Sequence, residues 1–364
     1  MTDRTYYFAI VETLEVYGGL NILFDFMSVL QAGGYRVAPL YRSRYYRYPF
    51  APFDGPAFYS PDLPGRVEPW YRYRGGIAQK RARVRNMARG FKPNALAKIR
   101  QSDVLVVPDF AYDRYAAAFP DMEIVVMVQN VVGFLRPWLR DNQGGDRILD
   151  RARLLVCISQ VCVDVAQTLV PAERCAALHL PVASPELTYT PEKKMQIAYM
   201  TRRRSQEVDF VTTMLRAMPE MRDVEFVKIE NMSLNEVHLV MRDALVYLSF
   251  SEREGFGLPP AEAMLAGCIV VGYTGVGGNE YFDETTGIVI EDGDVVSFAR
   301  AVAAVVKEYR VDPTRLDRMR RAASRSLAQR YDRDASHRQL LDIWHKLDAS
   351  LDADRIDERV AISA

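Results

Sequence analysis

Short apolar runs alternate with stretches of helical period along almost the whole chain, and the alternation occurs in two successive blocks. The opening run, Tyr6-Tyr-Phe-Ala-Ile-Val-Glu, passes through Tyr17-Gly18-Gly19 into Leu20, Leu23, Phe24, Met27 and Leu30, which share one face of a helix. Gly33-Gly34 closes that helix, and Tyr35-Arg-Val-Ala-Pro-Leu restarts as a strand. A β-loop-α-β unit implies a parallel sheet with right-handed crossovers, so the fold class is α/β. Further strand-like runs begin at Asp103, Glu123 and Leu154, and in the second block at Met195, Val224, Ala244, Ile269 and Gly287. Helices are expected over about 205–217, 259–266, 294–308 and 313–330. A last one, from about 335 to 351, carries Leu340, Leu341, Trp344 and Leu347 on one face. Residues 41–78 show no clean period and read as a long loop, followed by a basic helix over about 79–100. The stretch from Pro181 to Pro191 reads as a linker. Residues 1–190, with the final helix, then form one domain and 191–334 the other.

The length of 364 residues suits two domains. No apolar run approaches the roughly 18–20 residues of a spanning helix. The N-terminus reads as a first strand and not a signal peptide. Cys157, Cys162, Cys175 and Cys268 show no metal-type pairing, and free thiols on apolar segments fit a reducing cytosol. Net charge is zero, yet between Tyr35 and Arg100 there are 15 basic residues and three acidic ones. Such an uneven field bears on partners and not on fold.

The informative stretch is Ser251-Glu-Arg-Glu-Gly-Phe-Gly-Leu-Pro-Pro-Ala-Glu-Ala-Met-Leu-Ala-Gly. It follows a strand, turns on Gly255 and Gly257, and enters a helix with Pro259 or Pro260 near its first position. The glycines let backbone approach a ligand, and the helix N-terminus offers N–H groups and a positive dipole end to an anion such as a diphosphate. Glu254 sits in the loop, and Glu262 falls eight residues on, in the opening turn of the helix. A carboxylate there can accept from both hydroxyls of a ribose.

This stretch resembles the E-x7-E signature of retaining GT-B glycosyltransferases of family GT4, and Gly277-Gly278-Asn279-Glu280 is similar to that family's GG-x-E loop. The resemblance implies two Rossmann-like domains facing each other across a cleft, with the C-terminal helix crossing back to the N-terminal domain. It implies a nucleoside-diphosphate sugar as donor, held by the C-terminal domain with no metal or other cofactor. Glu254 would contact the transferred sugar and Glu262 the ribose. The backbone at Gly255, Phe256, Gly257 and Leu258 would line the sugar and phosphate pocket, joined by Gly278 and by Gly18 and Gly19 in the first β–α turn. Arg202, Arg203 and Arg204 follow the first strand of the second domain, where the family holds the diphosphate. Arg203 is the one assigned to stabilise charge on the leaving group. Many family members carry a histidine near the acceptor, but here His179, His238, His337 and His345 all lie later in the chain. Gln129 or Asn130 stands in that region instead, with Asn130 the catalytic candidate, and an amide positions a hydroxyl without taking its proton. Asp109, after a strand end, is read as a cap or turn residue with a base role as the alternative. Asp292-Gly-Asp294, Asp332-Arg-Asp334 and Asp352-Ala-Asp354 are read as turns, caps and exposed helix and not as metal sites.

The basic segment is interleaved with Tyr41, Tyr45, Tyr46, Tyr48, Trp70, Tyr71 and Tyr73. Arg and Tyr together suit an anionic, lipid-linked or polysaccharide acceptor, with a peripheral place at the inner membrane face. They also suit nucleic acid, or a plain solvated helix. Three readings stay open: an active retaining transferase, a nucleotide-sugar-binding subunit that has lost catalysis, and a transferase acting on hydroxymethylated bases in DNA.

Overall fold

The computed structural model describes residues 4–13, 17–51, 53–65, 93–140, 149–182, 187–201 and 204–363. The chain divides into two compact units. The first comprises residues 1–158, 162–178 and 337–364, and the second residues 159–161 and 179–336.

The sheet of the first unit contains β1 (Thr5–Ala9), β2 (Arg36–Tyr41), β3 (Phe58–Tyr59), β4 (Ala95–Leu96), β5 (Val104–Pro108), β6 (Glu123–Val128), β7 (Ala152–Cys157) and β8 (Cys175–Ala177). Their order is β4-β3-β2-β1-β5-β6-β7-β8, and every pairing is parallel. Helices α1 (Gly18–Ala32), α2 (Tyr112–Ala118), α3 (Val131–Arg140) and α4 (Gln160–Gln167) belong to this block. In the second unit, β9 (Lys194–Tyr199), β10 (Glu225–Lys228), β11 (Ala244–Phe250), β12 (Ile269–Tyr273) and β13 (Ile288–Val289) lie in the order β10-β9-β11-β12-β13, again all parallel. They alternate with α5 (Ser205–Ala217), α6 (Leu234–Asp243), α7 (Leu258–Leu265), α8 (Val295–Val311) and α9 (Thr314–Arg330), and α10 (Arg333–Ser363) ends the chain.

Parallel strands with helices on both faces are buried on both sides, which is why β5, β11 and β12 read as unbroken buried runs. The α5, α8 and α9 helices supply the other layer of the second core through Val208, Val211, Leu215, Phe298, Val302 and Leu316. Lys193 joins the segment before β9 to two helix ends: its Nζ donates to the carbonyls of Met241 (3.1 Å), Arg242 (2.8 Å) and Ala266 (2.7 Å). Helix C-termini leave such carbonyls without partners, so a cation there satisfies several at once.

The last helix begins among residues of the second unit, and from His337 its body belongs to the first. Trp344 is 0% exposed and stacks on Phe8 at 6.1 Å between centroids. Arg4 pairs with Asp348 and with Asp352, and the Tyr6 hydroxyl donates to Asp348 at 2.8 Å.

Two sequence expectations are corrected here. The described end of the expected 79–100 helix, from residue 93, contains the strand β4, which pairs with β3. Pro93 cannot continue a helix, because it lacks the N–H and its ring clashes with the preceding turn. The expected loop over 41–78 contains β3, too short to show any period. Residues 66–92, with Trp70, Tyr71, Tyr73 and most of the basic segment, lie outside the described residues.

Trp344→Ala is expected to lower the unfolding free energy by about 3–5 kcal/mol, read from urea denaturation. Trp344→Phe should cost clearly less, since the indole N–H has no partner to lose. Equal losses in the two variants would refute this packing.

Candidate functional site

Each sheet reverses direction once. In the second unit the chain steps from β9 outward to β10, then returns to β11 on the other side of β9. At such a point the following helices leave on opposite faces, and the space beyond the carboxyl ends of the two strands opens to a ligand. The loops that end there follow β9, from residue 200, and β11, over residues 251–257.

The 251–257 loop is held by backbone. The Glu254 amide donates to the Gly275 carbonyl at 2.8 Å, and the Gly277 amide returns a bond to the Glu254 carbonyl at 3.1 Å. This pairs Glu254 with Val276 in the loop that follows β12. Val276 has φ of 73°, a left-handed conformation that β-branched residues rarely take. A Cβ on Gly277 would overlap the Gly255–Phe256 peptide, so the two loops stack at a distance only glycine allows. Gly257 has φ of 89°, and its carbonyl accepts from the Tyr281 hydroxyl. A Cβ there would lie 2.9 Å from that hydroxyl. Phe256 turns its ring inward against Tyr281 (4.9 Å) and Tyr331 (4.9 Å), leaving its backbone to face the loop.

Helix α7 starts at Leu258, with Pro259 and Pro260 next. The prolines remove two of the usual first-turn donors. The donors for an anion are therefore the amides of Phe256, Gly257 and Leu258, which have no acceptor among the described residues. The Gly278 amide is different: it donates to the Thr274 carbonyl at 3.1 Å and is spent within its own loop.

Glu262 is the fifth residue of α7, beyond the first turn, so a role in complementing the helix dipole does not account for it. Its side chain is partly open to solvent, yet protein surrounds it, and burial pushes its carboxyl up to about 7. No hydrogen bond or charge among the described residues offsets that burial. Tyr247 feels both glutamates: its phenol is raised by burial first, then by Glu262, Cys268 and Glu254. Tyr281 is likewise raised by burial, with Tyr331 and Glu254 adding. Sequence reasoning did not single out Tyr247 or Tyr281. A tyrosine inside an apolar strand reads as core, and only the fold shows that its phenol feels two carboxylates.

Arg202 and Arg203 lie outside the described residues. Arg204 is engaged: its guanidinium bonds Glu207 at 3.0 Å and Asp292 at 2.7 Å, and lies over the Tyr273 ring at 4.8 Å. Asp294 caps α8 through the Ser297 amide at 2.9 Å, as its turn-and-cap reading requires. Among the described residues no cluster of His, Cys, Asp and Glu could hold a metal ion.

In the first unit the reversal falls between β1 and β5. Gly18 and Gly19 form the first turn of α1, after β1. Asn130 caps α3: its Oδ1 accepts from the Gly133 amide at 2.9 Å. Asp109 is 3% exposed and accepts from the amides of Gln129 (2.8 Å) and Asn130 (2.6 Å), which braces the turn before α3. The tyrosines expected at the acceptor are redistributed. Tyr41, Tyr46 and Tyr48 are buried, with the Tyr46 hydroxyl bonded to Thr13 and the Tyr48 hydroxyl to Asn21. Their rings belong to the core because their hydroxyls found partners there. Tyr45 is exposed, with Arg44 over its ring.

Residues 223–325 match the family described as glycosyl transferases group 1. This segment is a group 1 glycosyl transferase domain. An alpha-1,6-glucosyltransferase of Actinobacillus pleuropneumoniae serotype 7 is 37% identical over 119 residues, 32% of this chain and 36% of that protein. The chain thus spans about a third of the length of this curated relative. HepE of Anabaena, solved with UDP and glucose, is 15% identical with a TM-score of 0.59, covering 94% of this chain and 100% of that one. Sucrose-phosphate synthase of Thermosynechococcus elongatus is 14% identical with a TM-score of 0.65, covering 95% and 100%. WaaG, a glycosyltransferase involved in lipopolysaccharide biosynthesis, is 16% identical with a TM-score of 0.55, covering 93% and 99%. At these identities the likeness establishes a common fold, and the chain has the two-unit GT-B architecture of these glycosyltransferases. No helix among the described residues is long and apolar enough to cross a membrane.

The raised carboxyl in the group 1 domain has a consequence for stability. A folded pKa of about 7 against an ordinary 4.5 means that the folded state holds the proton more tightly. The stabilising contribution is whole below 4.5 and is lost as pH rises through about 7. In nucleotide-free protein, Glu262→Gln is therefore expected to be more stable than the parent at about pH 8, by about 2 kcal/mol. The gap should close on acidification toward 4.5. Thermal melts across that range check it, and identical melting at the alkaline end would count against it.

Proposed function

We propose that this protein is a retaining glycosyltransferase that moves a sugar from a nucleoside-diphosphate sugar to a hydroxyl acceptor. The observation that carries this reading is the Glu262 carboxylate, surrounded by protein and without a partner among the described residues, behind the reversal point of the second sheet. A carboxylate left so costs stability, and ribose hydroxyls would supply the missing donors. The amides of Phe256, Gly257 and Leu258 receive the diphosphate, and Glu254 receives the sugar. Arg202 and Arg203 are the candidates for charge on the leaving group, with Arg203 the assigned one, since Arg204 is occupied by carboxylates. The reading assigns this role to arginine and calls for no resident metal, so turnover should survive chelation.

UDP-glucose is the first donor to test. A relative is named an alpha-glucosyltransferase, and HepE was solved with UDP and glucose. An α-linked product from an α-linked donor means retention. In that step the bond from the sugar C1 to the phosphate oxygen breaks, and the bond to the acceptor oxygen forms on the same face. The departing phosphate oxygen takes the acceptor's proton, so no protein base is required. This suits a site where the Asn130 oxygen is committed to a helix cap. A lipid-linked or polysaccharide glycan is the proposed acceptor, from the basic and aromatic segment and the likeness to WaaG. A cytoplasmic place, peripheral to the inner membrane, goes with it.

Titration calorimetry with UDP tests the donor site: Glu262→Ala should weaken binding by about 10–100-fold, or about 1.4–2.8 kcal/mol. Unchanged affinity would remove the assignment. UDP-glucose bound with neither transfer nor slow hydrolysis would instead indicate a subunit without catalysis.

A further inference from the structure

Asp109 follows β5 at the reversal point of the first sheet and is 3% exposed. Its Oδ2 accepts from both amides of the Gln129–Asn130 turn that joins β6 to α3. The Gln129 side chain then reaches the neighbouring turn, where its Nε2 donates to the Gly19 carbonyl at 3.1 Å. The two are in close contact, since a Cβ on Gly19 would lie 2.8 Å from Gln129 Oε1. One buried carboxylate thus fixes one β–α turn directly and a second through an amide side chain, across the adjacent strands β1, β5 and β6.

A cap alone does not call for this arrangement. Asn130 already caps α3 with its own side chain, so Asp109 is not needed to satisfy that helix. Burial pushes the Asp109 carboxyl up to about 7, against the pull of the Asn130, Gln129 and Phe110 amides. Cys157 on β7 is an ionisable side chain that interacts with it, and burial raises that thiol in turn.

We propose that Asp109 is a positioning residue, whose carboxylate orients the Gln129–Asn130 turn and, through Gln129, the Gly18–Gly19 turn that opens α1. The proposal rests on the transferase reading for its effect on turnover, but not for the coupling itself. The carboxylate is the competent form. On protonation at Oδ1, Oδ2 still accepts but no longer carries negative charge, so both amide bonds weaken and the Gln129 turn loosens.

Two measurements on the full chain test it. In protein labelled with nitrogen-15 at Gly, Gln and Asn, the amides of Gln129, Asn130 and Gly19 should shift together with one midpoint near pH 7, and not at all in Asp109→Asn. A Gly19 resonance that ignores the titration of the other two overturns the coupling. In the second arm, Asp109→Asn and Gln129→Ala should each keep UDP affinity within about twofold, yet lower UDP-glucose turnover by about tenfold, with the double variant no worse than the poorer single. Full turnover in a folded Asp109→Asn overturns the positioning role. A parent protein that binds neither UDP nor UDP-glucose would sink the transferase reading alone, and the resonance arm would still decide the coupling.

Discussion

The reversal of strand order in each parallel sheet governs where chemistry can occur in this molecule. A sheet covered by helices on both faces must fill its strands with apolar side chains, and β5, β11 and β12 are buried at every position. Polar side chains with work to do are therefore confined to the loops beyond the strand ends. Among those loops, only the pair flanking a reversal is splayed apart by helices leaving on opposite faces. Glu254 in the second unit and Asp109 in the first both lie at such positions.

Within the second unit, backbone supports backbone. The paired bonds between Glu254 and the Gly275–Gly277 segment, and the Tyr281 hydroxyl on the Gly257 carbonyl, hold the loop through main-chain atoms. Phe256, Tyr281 and Tyr331 form an aromatic floor beneath it. A rigid support of this kind keeps donors oriented before any ligand arrives. Arg204 illustrates the opposite case. It begins α5, beside Glu207 in the first turn and Asp292 from a distant loop, and its charge is neutralised there.

The first unit shows how composition can mislead about individual residues. Tyr41, Tyr46 and Tyr48 stand among arginines and looked like a ligand surface, yet their rings fill the space over α1, where Phe24 stacks on Tyr48 at 5.4 Å. Charge density along a chain is one-dimensional and does not say which way a neighbouring ring turns. A phenol can be buried at low cost wherever its hydroxyl meets a carbonyl or an amide, and that depends on segments far away in sequence.

The alternation of apolar runs with helical periods was enough to determine the α/β class, most strand positions and the long helices of the second unit, because these follow from local periodicity. The 251–262 motif was enough to place Glu254 and Glu262 on a loop and the helix behind it, because glycine, proline and acidic spacing act within a few residues. Other features needed the tertiary structure. These are the burial of Glu262, the engagement of Arg204 by Glu207 and Asp292, the electrostatic influence of both glutamates on Tyr247, and the path from Asp109 through Gln129 to Gly19. Each depends on strands and loops separated by tens of residues, and only the order of strands in the sheets brings such segments together.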